Sequence, residues 1–167
     1  PLSRAFVRAA QQCGIPHTDD FNGFAQDGAG FFQTTTFSGR RGSAAVTYLN
    51  PVKENPLLKV LTGCEVVRIS IKDGRAQGVV FRTANGAVQE AVAHQEVVLA
   101  AGALATPKLL MLSGIGPAEH LHSMGIPVLH DLPGVGSNFQ DHISAPVYGS
   151  TDQPISLLNA DKGMAAL

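Results

Sequence analysis

The chain is short of charge. Only 15% of its 167 residues are Asp, Glu, Lys or Arg, and 12 basic residues against 13 acidic ones leave a formal net charge of −1. No basic cluster occurs beyond Arg40-Arg41, so the electrostatic footprint of a nucleic-acid-binding protein is missing. Cysteine is scarce. Cys13 and Cys64 form neither a CxxC pair nor a disulfide framework, and two ordinary thiols favour a reducing compartment, here taken as the cytoplasm. Long hydrophobic runs are absent too. The longest, Val97 to Ala105, is far too short to cross a bilayer. No charged-then-apolar leader opens the chain. It starts in what reads as the middle of a helix, as expected of a piece cut from a longer protein. Repeats and low-complexity tracts do not occur. What remains is a composition that is 44% hydrophobic, fit for a globular domain with a core of its own.

Leu2, Phe6, Ala9, Ala10 and Cys13 recur at helical spacing and predict an amphipathic helix over Ser3 to Cys13, stopped by Gly14. A loop rich in turn formers follows from Pro16 to Gly23. Gln33 to Phe37 predicts a short strand, and Ser43 to Leu49 a second helix ended by Asn50-Pro51. From Leu58 the pattern changes to strands: Leu58 to Leu61, Val66 to Ile71, Gly78 to Thr83 and Ala87 to Ala93. Asp73-Gly74 and Asn85-Gly86 lie between the last three and predict an antiparallel meander. Val97 to Ala100 is uniformly apolar, as for a strand buried on both faces. Thr106 is placed to cap a helix with Pro107 at its first position, Ala105, Leu109 and Leu112 on one face and Gly114 as its stop. Pro117 to Met124 predicts another short helix, Ile126 to His130 an extended piece and Leu132 to Gly136 a turn. The fold class is therefore mixed α/β, with α+β character.

Several motifs occur in order. They are Asp20-Phe-Asn-Gly23 with Gly28, Gly30 and Gln33-Thr34, then Gly39-Arg-Arg-Gly-Ser-Ala-Ala45 with Tyr48-Leu49 and Pro51. Val60-Leu-Thr-Gly63 with Val66-Val-Arg-Ile69 follows, then the run from Gly102 to Gly116 and, last, Pro133-Gly-Val-Gly136 with Asn138-Phe-Gln-Asp-His142. Together, over roughly Leu2 to Tyr148, they resemble the glucose–methanol–choline (GMC) family of FAD-dependent alcohol oxidoreductases. The resemblance implies a fragment of the family's FAD/NAD(P)-binding fold. It assigns residues 1–57 to substrate-domain entry, 58–125 to part of the FAD domain with the meander and signature helix, and 126–167 to a return toward the substrate domain. The family opens with a Gly-x-Gly-x-x-Gly turn for the FAD pyrophosphate and places its catalytic His near its C-terminus. Neither has an equivalent here, so the resemblance is to the central third of such an enzyme.

By that resemblance, Val66 would meet the adenine edge of FAD, although from the residues alone it is an ordinary strand valine. Ala100, Ala101 and Gly102 end an apolar run, where ligands of open α/β sheets bind and where small side chains admit close approach. Tight helix packing explains the same residues. Asn138, Asp141 and His142 resemble a segment near the flavin; Asn138 is taken as cofactor-binding, while Asp141 and His142 are read as structural. No residue is assigned as catalytic and none as a metal ligand. His120 and His122 are two apart and do not share a helix face, and His17 with Asp19 and Asp20 reads as a polar turn. Ser113 lies in Ser-Gly-Ile-Gly rather than Gly-x-Ser-x-Gly, which argues against a hydrolase nucleophile.

The implied parent oxidises a primary alcohol, choline-like or aliphatic or aryl, to the aldehyde with hydride transfer to flavin N5. Oxygen and an electron carrier both stay open as acceptors. FAD belongs to the parent and is expected to be absent from the isolated chain, which is expected to be inactive. Its partners are the alcohol, the remainder of its own chain and, through uncovered sheet edges, other copies of itself; association of the parent with a membrane stays open. Two other functions fit the residues: a non-catalytic α/β binding module, and a hydroxynitrile lyase of the same family.

Overall fold

The computed structural model describes residues 2–150 and 152. The end of the tail reading, Ser150 to Leu167, lies largely outside the described residues. The chain divides into two compact units, one from the described residues up to Leu58 and from Ala145 onward, the other Lys59–Ser144.

The first unit opens with helix α1, Leu2–Gln12. Its end is a Schellman closure: the Ile15 N–H donates to Ala10 O at 3.0 Å and the Gly14 N–H to Gln11 O at 3.0 Å. The buried position is Val7, while Leu2, Phe6 and Cys13 are exposed. The apolar stripe predicted from spacing is thus not the stripe that packs within this unit. The loop after α1 is tied down by polar contacts. His17 Nε2 lies 2.8 Å from Asp19 Oδ1 and Nδ1 lies 3.1 Å from Ala29 O, and the Asn22 N–H donates to Asp20 Oδ1 at 2.9 Å. Strands β1, Thr36–Phe37, and β2, Arg40–Arg41, make a small hairpin in place of the longer strand expected over Gln33 to Phe37. The expected helix over Ser43 to Leu49 is a π-helical turn, Ala45–Leu49, closed by the Asn50 N–H on Ala45 O. It runs into a 3-10 turn at Asn50–Val52 that contains Pro51.

The second unit is built on a meander of β3, Glu65–Lys72, β4, Arg75–Arg82, and β5, Val88–Val92, in that spatial order and all antiparallel. Asp73 and Gly74 join β3 to β4 with φ of 51° and 74°, the mirror-image turn that matches strand twist. The second connection is longer. The Thr83 N–H donates to Ala87 O at 2.9 Å, and Asn85 Oδ1 accepts from the Ala87 N–H at 3.2 Å. The β3–β4 ladder slips between Val66 and Arg68 and again between Ser70 and Ile71, bulges that bend the strand and redirect its side chains.

Helix α2, Gly102–Leu112, packs against β3. Two expectations need correction here. The helix begins at Gly102, so Pro107 lies inside it rather than at its first position, and Thr106 is not its cap. Pro107 brings no N–H, so Ala103 O goes without that donor, a loss near the start of a helix that ten other residues carry. The inward stripe is Thr106, Leu109, Leu110 and Ser113, displaced from the expected Ala105, Leu109 and Leu112. The second correction concerns Val97 to Ala100, which is neither buried nor paired. It has no regular secondary structure, with Val97 and Leu99 half-buried and Val98 and Ala100 exposed. A strand buried on both faces requires neighbours on both sides, and apolar sequence supplies none of them. For the same reason Leu58 to Leu61 forms no strand: it has no partner and is exposed.

Gly114 ends α2 with φ of +82°. Strand β6, Ile115–Gly116, then pairs in parallel with β7, His130–Asp131, around helix α3, Ala118–Ser123. Leu121 on α3 is fully buried. Asp131 Oδ1 accepts from the Ala118 N–H at 3.0 Å and so caps α3. The turn at 133–136 follows as expected. Among the described residues no helix is long and apolar enough to cross a membrane.

Candidate functional site

The site residues are carried by three pieces of the second unit. Ala100 and Ala101 lead into α2, and Gly102 is its first residue. Gly102 has φ of +85°, a conformation that side chains with a Cβ disfavour, and a Cβ built there would meet nothing within 4 Å. The N-cap, Ala101, provides no side-chain hydrogen bond and the first turn holds no acidic residue. The opening amides of α2 therefore receive no cap from the Ala101 side chain, and residues 100–105 are exposed. Such an end favours an anionic or electron-rich group. Small residues and a bare helix end are what the close approach of a large, electron-rich cofactor such as FAD requires, so these residues fit that group.

Asn138 is the second piece. Among the described residues it is one of three non-glycine residues with positive φ, at 55°, a conformation that asparagine tolerates better than most. Asn138 lines an open groove of about 850 Å³ together with Ala103, Leu104 and Met111 of α2 and His120 and Leu121 of α3. The groove floor is apolar, and Asn138, Ser137, Gln140, Lys108 and His120 supply its polar atoms. The loop is seated on α2 through its glycine: a Cβ on Gly136 would stand 2.7 Å from Met111 Cε.

Val66 is the third piece, and it is not in that groove. It sits near the start of β3, opposite Phe81 and beside a bulge, and is 41% exposed. A second groove, of about 570 Å³, runs along β3 past Ile69 and Ile71 to Val97, Leu99 and Leu110. It connects the approach to Ala100 with the strand that carries Val66. Asn138 thus shares a groove with α2, while Ala100, Ala101 and Gly102 line neither groove and Val66 lies on a separate strand.

Asp141 and His142 lie outside the groove, and the His142 N–H donates to Asp141 Oδ1 at 2.8 Å. His120, taken from spacing as a helix-surface residue, lines the groove wall. Cys13 is exposed and Cys64 half-buried, both as free thiols. Ser113 was weighed in sequence only as a nucleophile. It is buried, with its Oγ accepting from the Ile69 N–H at 2.8 Å and donating to Leu109 O at 2.6 Å. Its partner on β3 is 44 residues away, so no local pattern signals the bond.

Comparison with known proteins places these pieces in context. Residues 1–144 match the family described as GMC oxidoreductase. The oxygen-dependent choline dehydrogenase of Rhizobium johnstonii is 46% identical over 157 residues, covering 94% of this chain and 28% of the relative. The mitochondrial choline dehydrogenase of Mus musculus is 43% identical over 162 residues, covering 97% of this chain and 27% of the relative. The chain therefore spans little more than a quarter of the length of these relatives. Among solved structures, an FAD-dependent oxidoreductase from Chaetomium thermophilum is similar with a TM-score of 0.67 and 34% identity, over 80% of this chain and 24% of that one. A fungal aryl-alcohol oxidase is similar with a TM-score of 0.70 and 29% identity, over 94% of this chain and 28% of that one.

Proposed function

This chain belongs to the GMC oxidoreductase family, and we propose that it is part of an FAD-dependent enzyme that oxidises the CH–OH group of a primary alcohol to the aldehyde. The observation that carries the reading is the start of α2. A glycine at φ +85° with open space around it follows two alanines, at a helix end with no side-chain cap, inside the stretch that matches the family. The choline dehydrogenases among the relatives favour a choline-like alcohol. The aryl-alcohol oxidase among the structural neighbours keeps aryl alcohols as the second substrate class.

FAD, when bound, supplies a hydride acceptor at flavin N5. The chain's own residues bind and position. Ala100, Ala101 and Gly102 admit the cofactor to the amides of α2, and Asn138 offers a side-chain amide beside the same helix. Val66 offers strand backbone and a flat apolar surface suited to an adenine edge. No residue of the chain is assigned as the base that takes the alcohol proton. Within this reading, residues 1–57 form the entry of the substrate domain, 58–125 part of the FAD domain, and 126–167 the return toward the substrate domain. The 167 residues alone are proposed to be inactive, because no Gly-x-Gly-x-x-Gly turn for the pyrophosphate occurs among them. The two unpaired thiols support a reducing compartment, which we take as the cytoplasm.

The test is a flavin titration of the longer enzyme that carries this sequence, with wild type beside Gly102→Val. The wild type should retain flavin through gel filtration, and the variant should lose it. A variant that holds FAD as tightly as wild type would remove the start of α2 from the site.

A further inference from the structure

We propose that Ser113 is a positioning residue: its hydroxyl fixes where the Val66 end of β3 lies relative to α2 and so keeps two parts of the FAD site in register. The inference rests on the flavin reading above. Among the described residues β3 is an edge strand, paired with β4 on one side only, and an edge strand presents unpaired backbone groups outward. At Ile69 that outward N–H is not left open, because Ser113 Oγ accepts it at 2.8 Å. The same hydroxyl donates to Leu109 O at 2.6 Å in the last turn of α2. Both capacities of the hydroxyl are used, and Ser113 and Ile69 are both buried.

The position of this bond gives it consequence. The ladder to β4 slips between Val66 and Arg68 but resumes at Val66–Phe81 and Glu65–Arg82, so β4 fixes that end of β3 within the meander, and the bond at Ile69 fixes the meander to α2. The nearest point where another element grips β3 is Ile69, three residues or about 10 Å from Val66. On the other side, α2 is a rigid rod whose first residue, Gly102, lies about 16 Å along the axis from Ser113. One hydroxyl thus joins the strand that carries Val66 to the helix that carries Gly102. Alanine at position 113 would leave the Ile69 N–H buried without a partner, and β3 would relax by sliding or by admitting water. Threonine keeps the hydroxyl.

The experiment compares wild type, Ser113→Ala, Ser113→Thr and Val80→Ala in the longer enzyme. Val80 is buried in β4 and lines neither groove, so its truncation is a control for stability loss alone. FAD affinity is read by flavin fluorescence on the apoprotein, fold stability by urea midpoint, and the pin itself by amide exchange at Ile69. Ser113→Ala should weaken FAD binding by about tenfold and speed exchange at Ile69, while Ser113→Thr retains both. Val80→Ala should lower the urea midpoint and leave FAD affinity unchanged. Wild-type FAD affinity in Ser113→Ala, equal weakening in Val80→Ala, or a threonine variant as weak as the alanine one would overturn the proposal. A wild-type enzyme that binds no FAD would instead overturn the flavin reading, and this inference with it.

Discussion

Replacing Gly114 by alanine should destabilise the second unit by two separable effects. The residue has φ of +82°, and the left-handed conformation costs a residue with a Cβ about 1–2 kcal/mol. The new Cβ would also stand 2.7 Å from Pro127 O and 2.9 Å from Leu129 Cγ. Overpacking of this kind costs about 1–3 kcal/mol, and here a backbone carbonyl is one of the obstacles. That carbonyl belongs to a segment which cannot simply retreat, because the Leu129 and His130 N–H groups both donate to Gly114 O, at 2.8 and 3.1 Å. The expected loss is about 2–5 kcal/mol, a large part of the stability of a small domain. Gly86→Ala is the matched control, since Gly86 has φ of +85° and open space where a Cβ would go. It should lose only the conformational part, about 1–2 kcal/mol. Urea unfolding followed by far-UV circular dichroism gives both losses. Equal losses in the two variants would show that the packing of the 127–129 segment over Gly114 is wrong.

Two further outcomes follow from other parts of the unit. Leu121 is fully buried on α3, so Leu121→Ala should cost about 2–5 kcal/mol in the same assay, and a loss below about 1 kcal/mol would mean that α3 is not packed as described. Gly102→Val should cost the fold at least the left-handed penalty of about 1–2 kcal/mol, with no clash at its Cβ, while FAD affinity in the longer enzyme falls steeply. A larger loss of stability with unchanged flavin binding would make Gly102 a packing residue.

The meander was legible because its turns are local. Asp73, Gly74 and Gly86 supply the positive φ that hairpins need, and two short connections leave antiparallel pairing as the solution. The ends of α1, α2 and α3 were legible for the same reason, each marked by Gly14, Gly114 or Gly125 at positive φ. The start of α2 was not. Thr106-Pro107 is a strong local start signal, yet Gly102 begins the helix one turn and more upstream. Burial of Val97 to Ala100 was not legible either, since burial belongs to the neighbours of a strand rather than to its residues. Of the proposed site, motif resemblance picked out Asn138 and the stretch from Ala100 to Gly102, and the structure places Asn138 in a groove shared with α2. His120 joins Met111 and Leu112 of α2 in lining the groove only through the tertiary fold, and Ser113 met Ile69 only through the docking of α2 on β3. Both are tertiary facts without a local signature.

The flavin reading is tested most directly by comparing the longer enzyme with the isolated 167-residue chain, each incubated with FAD, freed of unbound flavin and scanned for absorbance before assay with choline and benzyl alcohol. The longer enzyme should carry stoichiometric flavin and oxidise at least one of the two alcohols, and the isolated chain should emerge colourless and inactive. A longer protein that stays colourless and inert, or an isolated chain that retains flavin and turns over either alcohol above a no-protein control, would contradict it.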